Sequence, residues 1–239
     1  MAAAADDNIR QIRHALTIAE RRRIDKSPIA PYPKAMQLAL KRGFDIALAL
    51  LLLVMAAPVL LLLYLYIRTR LGAPVFFTQT RIGKGEREFQ LIKFRSMTQA
   101  KDANGALLPD HLRLHAFGAW LRSTSLDEVP ELWNILKGEM SFVGPRPLLP
   151  DYLPYYRREE KIRHQMRPGI TGLAQINGRN ATTWDARLAY DAQYVKNFSL
   201  ALDVRILWRT IAVVLKREGI SAEGHATMRR LDDERRGTL

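Results

Sequence analysis

The chain contains no cysteine among its 239 residues. Disulfides, thiolate nucleophiles and zinc–thiolate sites are thereby excluded, and nothing calls for an oxidising compartment. The glycine signatures of nucleotide binding are missing as well. There is no G-x-x-x-x-G-K-[ST] and no G-x-G-x-x-G, and Gly83-Lys84-Gly85 is too short to stand for either. His14, His111, His115, His164 and His225 lack metal-ligand spacing. Acidic residues are in short supply: 24 Asp and Glu stand against 37 Lys and Arg, a net charge of +13. That excess suits a polyanionic partner, whether nucleic acid, an anionic lipid surface or a pyrophosphate-containing substrate. The basic residues are scattered rather than interleaved with stacking aromatics, so a nucleic-acid partner is not expected. Residues 1–33, with Arg21-Arg22-Arg23 and a proline-broken end, read as a charged extension without a signal-peptide pattern.

What the chain does have is apolar mass, 48% of its residues, and one long apolar run. Residues 46–67 carry no charge, and about 22 residues suffice to cross ~30 Å of hydrocarbon as a helix. Tyr64 and Tyr66 sit near its end, where interfacial aromatics belong. Two readings stay open. One is a single transmembrane span. The other is a re-entrant hairpin broken at Pro58, where proline removes a backbone donor and crowds the preceding turn. Lys41 and Arg42 flank one end and Arg68 and Arg70 the other, so charge favours neither orientation. A multi-span protein is not expected, because Arg209 interrupts residues 206–215.

Residues 74–82 and 89–95 read as two short strands around a glycine turn. Helices are expected over 111–121, 123–136 (stopped by Gly138), 157–164 and 200–217, with 144–147 and 167–172 as loops. Ser125-Leu126-Asp127-Glu128 has the form of a capping box. The same pair fits chemistry: a carboxylate at a helix start stays ionised beside an anion site, can attack phosphorus, and its neighbour can hold Mg²⁺. Arg146, between Pro145 and Pro147, is either a preorganised phosphate fork or a solvated turn residue. On the last helix Val204, Leu207, Trp208, Ile211 and Leu215 form an apolar stripe among basic residues, suited to a core or to a membrane interface.

A series of motifs in order resembles the small monotopic phosphoglycosyl transferases, the bacterial sugar transferases. It comprises Lys41-Arg42-Gly43-Phe44-Asp45, Lys93-Phe94-Arg95-Ser96-Met97, and Arg122 ahead of Ser125-Leu126-Asp127-Glu128-Val129-Pro130-Glu131-Leu132-Trp133-Asn134. Met140-Ser141-Phe142-Val143-Gly144-Pro145-Arg146-Pro147 and residues 167–179, from Arg167-Pro168-Gly169 to Gly178-Arg179, complete it. The resemblance covers roughly residues 35–228. It implies an α/β fold, mostly α with a short β-hairpin, divided into four parts: a 1–33 extension, a 34–70 re-entrant helix–break–helix in the membrane, a 71–220 catalytic domain with interfacial amphipathic helices, and a 221–239 tail.

It further implies transfer of a phosphosugar from a UDP-sugar to polyprenyl (undecaprenyl) phosphate at the bacterial inner membrane, with the catalytic domain facing the cytoplasm. In that scheme Asp127 is the nucleophile and Glu128 its partner, the two associated with Mg²⁺. Arg122, Pro145, Arg146, Gln175, Arg179, Asp191 and Asp203 are implied as substrate contacts. Ala57 stands where the family often has serine before the proline, so the bend rests more heavily on Pro58. Residues 178–181 and 222–226 resemble members that use acetamido sugars such as diacetylbacillosamine or a HexNAc. A non-catalytic basic scaffold binding anionic lipid or nucleic acid is the alternative from another class; oligomeric state is not legible.

Overall fold

The apolar run becomes one helix, α1 (Ala35–Arg70), in a computed structural model that describes residues 35–177, 183–216 and 230–236. The chain stays helical through Pro58, so the expected break takes the form of a proline inside one helical run. A proline removes one donor and bends the axis, but good helix formers on either side carry the helix through it. Both ends of α1 are fastened to the rest of the protein. Near its start Lys41 Nζ meets Asp203 Oδ2 at 2.6 Å, Arg42 donates to the carbonyls of Ile135 and Leu136, and Asp45 accepts from the Phe142 N–H at 3.2 Å. Near its end Leu63 and Ile67 are buried with Val75, Phe94 and Leu121, each worth roughly 1.5–3 kcal/mol of burial. The Arg95 guanidinium reaches the carbonyls of Leu71, Gly72 and Ala73, satisfying groups that a helix end leaves open. Between the two anchorages Leu50, Leu51, Val54, Met55, Leu61 and Leu62 are exposed.

The hairpin forms as expected: β1 (Phe76–Ile82) pairs antiparallel with β2 (Glu88–Phe94), Phe76 opposite Phe94. Two short helices follow, α2 (Asp110–Arg113) and α3 (Ala116–Ser123). The expected continuous helix over 123–136 is divided. Ser125 takes a left-handed conformation (φ 57°), a single 3₁₀ turn spans Leu126–Glu128, and α4 (Glu131–Lys137) begins only after Pro130. Proline fits a helix start but not its interior. The capping box therefore does not form, and the Ser125 side chain makes no cap hydrogen bond.

The region 167–172, expected as a loop, contains β4 (Gly169–Thr171), which lies parallel to β3 (Ser141–Val143). Glycine explains the pairing. A Cβ on Gly144 would sit 2.3 Å from the Arg167 carbonyl oxygen, and one on Gly169 would sit 2.1 Å from the Gly144 nitrogen. The two motifs are thus two backbones pressed together without side chains between them.

After β4 come α5 (Leu173–Ile176), α6 (Trp184–Lys196) and α7 (Leu200–Lys216). No element was expected at α6; its signal is Thr183, which accepts from the Ala186 N–H, with Asp185 in the first turn. The stretch expected as a helix over 157–164 is a 3₁₀ segment, Glu160–Gln165. On α7 Ile206 is fully buried while Val204, Trp208 and Ile211 are exposed, so the expected stripe faces outward at those three positions. The end of the region expected as a tail is docked. In α8 (Leu231–Arg235) Leu231 is buried with Leu148, Tyr152, Tyr156, Trp184 and Leu188, and Arg235 makes a two-pronged pair with Glu160.

Asn134, fully buried on α4, sews that helix to β2: it accepts from the Ile92 N–H at 3.2 Å and donates to the Gln90 carbonyl at 2.7 Å. Asn134→Ala leaves both backbone groups without partners and is expected to destabilise the protein by about 2–4 kcal/mol, seen as a lower denaturation midpoint. A loss under about 0.5 kcal/mol would show that water or a neighbour replaces the amide.

Candidate active site

The site gathers where β2, the 126–128 turn, α4 and the 144–147 loop meet. Each residue of the motif that ends β2 is engaged. Lys93 extends to the acidic turn, Phe94 enters the core, Arg95 holds the end of α1, and Ser96 and Met97 position Arg122 of α3 through Arg122 Nε–Ser96 Oγ at 2.9 Å and a contact to the Met97 sulfur. Lys93 Nζ lies 2.6 Å from Glu128 and 3.0 Å from Glu131. Burial depresses the Lys93 pKa, but the two carboxylates outweigh it and the net shift is upward. Glu128 also accepts from Arg146 at 2.9 Å, on the same oxygen, Oε1, that meets Lys93. Although burial works against its charge, the two cations hold Glu128 far below the usual carboxylate range. Glu131, buried and facing the same lysine with a neighbouring carboxylate, is pushed up.

Asp127 differs from its neighbour. Its side chain is buried, no hydrogen bond joins it to another described residue, and burial, then the charge of Glu128, raises its pKa to about 6. Lys93, Arg122 and Arg146 pull the other way without prevailing. The expectation that a helix start would keep this carboxylate ionised is corrected: no helix begins here, and desolvation dominates. The Asp127 carboxyl is therefore half protonated near pH 6. Turnover limited by Asp127 is expected to fall about tenfold per pH unit below that value and to level off above it. A cation held at the site shifts the inflection lower. A pH–rate profile that stays flat across the weakly acidic to neutral range would count against a turnover step that needs ionised Asp127.

The other expected residues divide into three groups. Arg122, Pro145 and Arg146 stand with the acidic pair. Arg146 is partly exposed and pinned by Glu128, while its own carbonyl accepts from Arg163 at 2.5 Å and the Pro145 carbonyl accepts from the Gly169 N–H. Asp191 and Asp203 are buried structural partners. Asp191 pairs with Arg163 at 2.8 Å and so steadies Arg146 from behind, and Asp203 joins Lys41 to the Tyr194 hydroxyl. Gln175 packs against Gly172, its amide shut off from solvent, and no contact links it to Asp127. Arg179 lies outside the described residues. Sequence reasoning missed Lys93 and Glu131 as members of the site, although both fall inside motifs already singled out.

The described residues hold no group of three or more metal-binding side chains. Mg²⁺ does not require one: it takes one or two carboxylates, keeps several waters and uses substrate phosphates for the rest. Glu128 Oε2 and both Asp127 oxygens have no hydrogen-bond partner among the described residues, so the donor set fits that ion.

A family model described as "Bacterial sugar transferase" matches residues 36–217. The chain belongs to the bacterial sugar transferase family. This sugar transferase is 47% identical over 193 residues to the "Uncharacterized sugar transferase EpsL" of Bacillus subtilis, covering 81% of this chain and 96% of that one. It is 38% identical over 191 residues to the "UDP-N-acetylgalactosamine-undecaprenyl-phosphate N-acetylgalactosaminephosphotransferase" of Aeromonas hydrophila, covering 77% of this chain and 45% of the other. The "Undecaprenyl-phosphate galactose phosphotransferase" of Salmonella typhimurium is 39% identical over 197 residues, covering 75% and 41%. The sugar transferase thus spans nearly all of the Bacillus protein and less than half of the other two.

Proposed function

We propose that this enzyme transfers a sugar phosphate from a UDP-sugar to polyprenyl phosphate, releasing UMP and forming a polyprenyl-diphosphosugar through a covalent intermediate on Asp127. The observation that carries the reading is Asp127 itself, a buried carboxylate without a hydrogen-bond partner among the described residues, ringed by Lys93, Arg122 and Arg146. A passive scaffold has no use for such a group. In the first step an Asp127 oxygen bonds to the β-phosphorus while the bond from that phosphorus to the UMP oxygen breaks, and UMP leaves with the electron pair. In the second step a polyprenyl phosphate oxygen attacks the same phosphorus and the Asp127–phosphorus bond breaks, restoring the carboxylate. Arg146 and Arg122 offer N–H donors to the phosphate oxygens, and Glu128 holds Arg146 in place. Mg²⁺, held by Glu128 and the second oxygen of Asp127, would neutralise diphosphate charge. Two relatives named for undecaprenyl-phosphate transfer support this chemistry, but their names differ in the sugar, so an N-acetylated donor rests on the resemblance of residues 178–181 and 222–226, which lie outside the described residues.

Incubating the purified protein with a panel of UDP-sugars, before any polyprenyl phosphate is added, tests the reading. One UDP-sugar should yield UMP in an amount equal to the enzyme, with turnover beginning only on addition of the lipid phosphate. No UMP from any donor, with or without acceptor, would remove the assignment.

The membrane embedding follows from the fastening of α1. From Lys41 to Ile67 a helix extends ~39 Å, enough to cross a bilayer, yet both ends are held by one and the same catalytic unit. A span would put that unit on both sides of the membrane. We therefore place both ends on one face, with the exposed middle of α1 entering a single leaflet, bent at Pro58, and the outward face of α7 lying at the interface. The face is the cytoplasmic side of the inner membrane, where UDP-sugars occur. Single cysteines at Met36 and Arg70, both exposed, should be labelled by an impermeant reagent from the same side. Labelling from opposite sides would establish a true span.

A further inference from the structure

β1 brings Arg81 within charge range of Arg146 and Glu131, and its guanidinium is poorly served there. It is half-buried, one terminal nitrogen donates to Gln79 at 2.7 Å, and Nε is closed off from solvent without a hydrogen-bond partner among the described residues. Among the described residues no carboxylate lies within ion-pair distance of it. The two residues that follow, Ile82 and Gly83, wall the same narrow cleft as Pro145 and Arg146, and the Ile82 N–H donates to the Leu148 carbonyl at 3.0 Å. Arg81 is thereby tied to the loop that presents Arg146.

Its surroundings oppose its charge. Burial first, and then the like charge of Arg146, bring its pKa down to about 10, with Tyr152, Glu131 and Tyr156 compensating only in part. Glu131 is already engaged by Lys93 at 3.0 Å. A guanidinium that is desolvated beside another cation costs stability unless something anionic arrives. Two forks close enough for their charges to interact, one of them beside Asp127, suit a tetrahedral, multiply charged oxyanion, which takes donors from several directions.

We propose that Arg81 is a substrate-binding residue whose guanidinium, with that of Arg146, receives an oxygen of a substrate phosphate. This rests on the phosphosugar-transferase reading above. The phosphate belongs either to the nucleotide diphosphate or to the polyprenyl acceptor, and the two are separated by titration. The competing role is a strut that merely holds β1 against the loop. The two roles make opposite demands on the ligand-free protein: a strut stabilises it, whereas an unpaired cation beside Arg146 does not.

The experiment compares full-length wild type, Arg81→Gln and Arg81→Lys in detergent or nanodiscs with Mg²⁺. Each is melted without ligand and titrated with UDP and with a short-chain polyprenyl phosphate. Arg81→Gln should melt no lower than wild type and bind one of the two ligands about 10- to 100-fold more weakly. Arg81→Lys, which keeps the charge and loses the fork, should recover part of that affinity and keep the salt dependence of binding. Weakened UDP binding assigns Arg81 to the nucleotide diphosphate, and weakened lipid-phosphate binding assigns it to the acceptor. If Arg81→Gln does not fold, the affinity of Arg81→Lys is decisive, and unchanged binding of both ligands overturns the proposal. A variant that melts several degrees lower yet binds both ligands as wild type does makes Arg81 a strut. A wild type that binds neither ligand overturns the transferase reading, and the Arg81 assignment with it.

Discussion

Asp127→Asn is expected to lower turnover by several orders of magnitude and, in the same protein, to raise stability at mildly alkaline pH. The loss follows because the amide keeps the shape of the side chain but has no anionic oxygen to bond to phosphorus. The gain follows from the environment of the carboxyl. Its pKa rises in the folded protein from 3.8 to about 6, with burial the leading cause. A group shifted upward stabilises the fold only while protonated, so this carboxyl is least costly below about pH 4. The penalty grows as pH climbs through about 6 and is complete above it. At about 1.4 kcal/mol per unit the shift corresponds to at most about 3 kcal/mol, which asparagine removes. A protein of this size should then melt several degrees higher at about pH 8 in the absence of Mg²⁺ and show little difference at about pH 4. Wild type mixed with its UDP-sugar should carry one phosphosugar on the peptide containing Asp127, and the variant none. A variant that melts lower, or that retains turnover, would make Asp127 a structural residue and take the covalent mechanism with it.

Glu128→Gln tests the other half of the pair and is expected to cost at least about a hundredfold in turnover with folding retained. Glutamine serves a capping box as well as glutamate, so a mild effect would follow if Glu128 only closed a helix end. In the folded protein Glu128 instead holds both Lys93 and Arg146 through its Oε1, and neutralising it frees Arg146 from its set position. Folding should survive because Glu131 is already 3.0 Å from Lys93. Its raised pKa owes part of its shift to the Glu128 charge, so it is expected to ionise more completely once that charge is gone and to remain the partner of Lys93. The discriminating measurement is KM for the UDP-sugar against turnover, with melting temperature as control. Near-normal turnover at unchanged stability would remove Glu128 from the chemistry.

Much of this protein is legible along the chain because the signals involved are local. The long apolar helix is read from uninterrupted apolarity over residues 46–67, the hairpin from two strand-like stretches about a glycine turn, and α7 from its amphipathic period. The reaction class is carried by motifs whose order and spacing make the resemblance. The capping box misleads for an equally local reason: Ser125 and Glu128 have the correct spacing, but Pro130 and the left-handed Ser125 delay the helix to Glu131. Pairing of β3 with β4 is hidden because each contributes only three residues, and the glycines that permit it resemble a loop's.

The roles of charged residues are decided elsewhere. A sequence places Asp127 and Glu128 side by side as equals, and propensity alone cannot say which keeps its proton. Lys93, 35 residues away, and Arg146, 18 residues away, both converge on Glu128 and leave Asp127 to desolvation. Asp191 and Asp203 likewise become buried partners of Arg163 and Lys41, because α6 and α7 carry them inward. Composition and short-range pattern therefore determined the long apolar helix, the hairpin, α7 and the chemical class. The tertiary structure alone decided which carboxylate is left to desolvation, which cations are spent on buried pairs and which stand beside Asp127, since burial and charge coupling depend on distances between residues far apart in the chain.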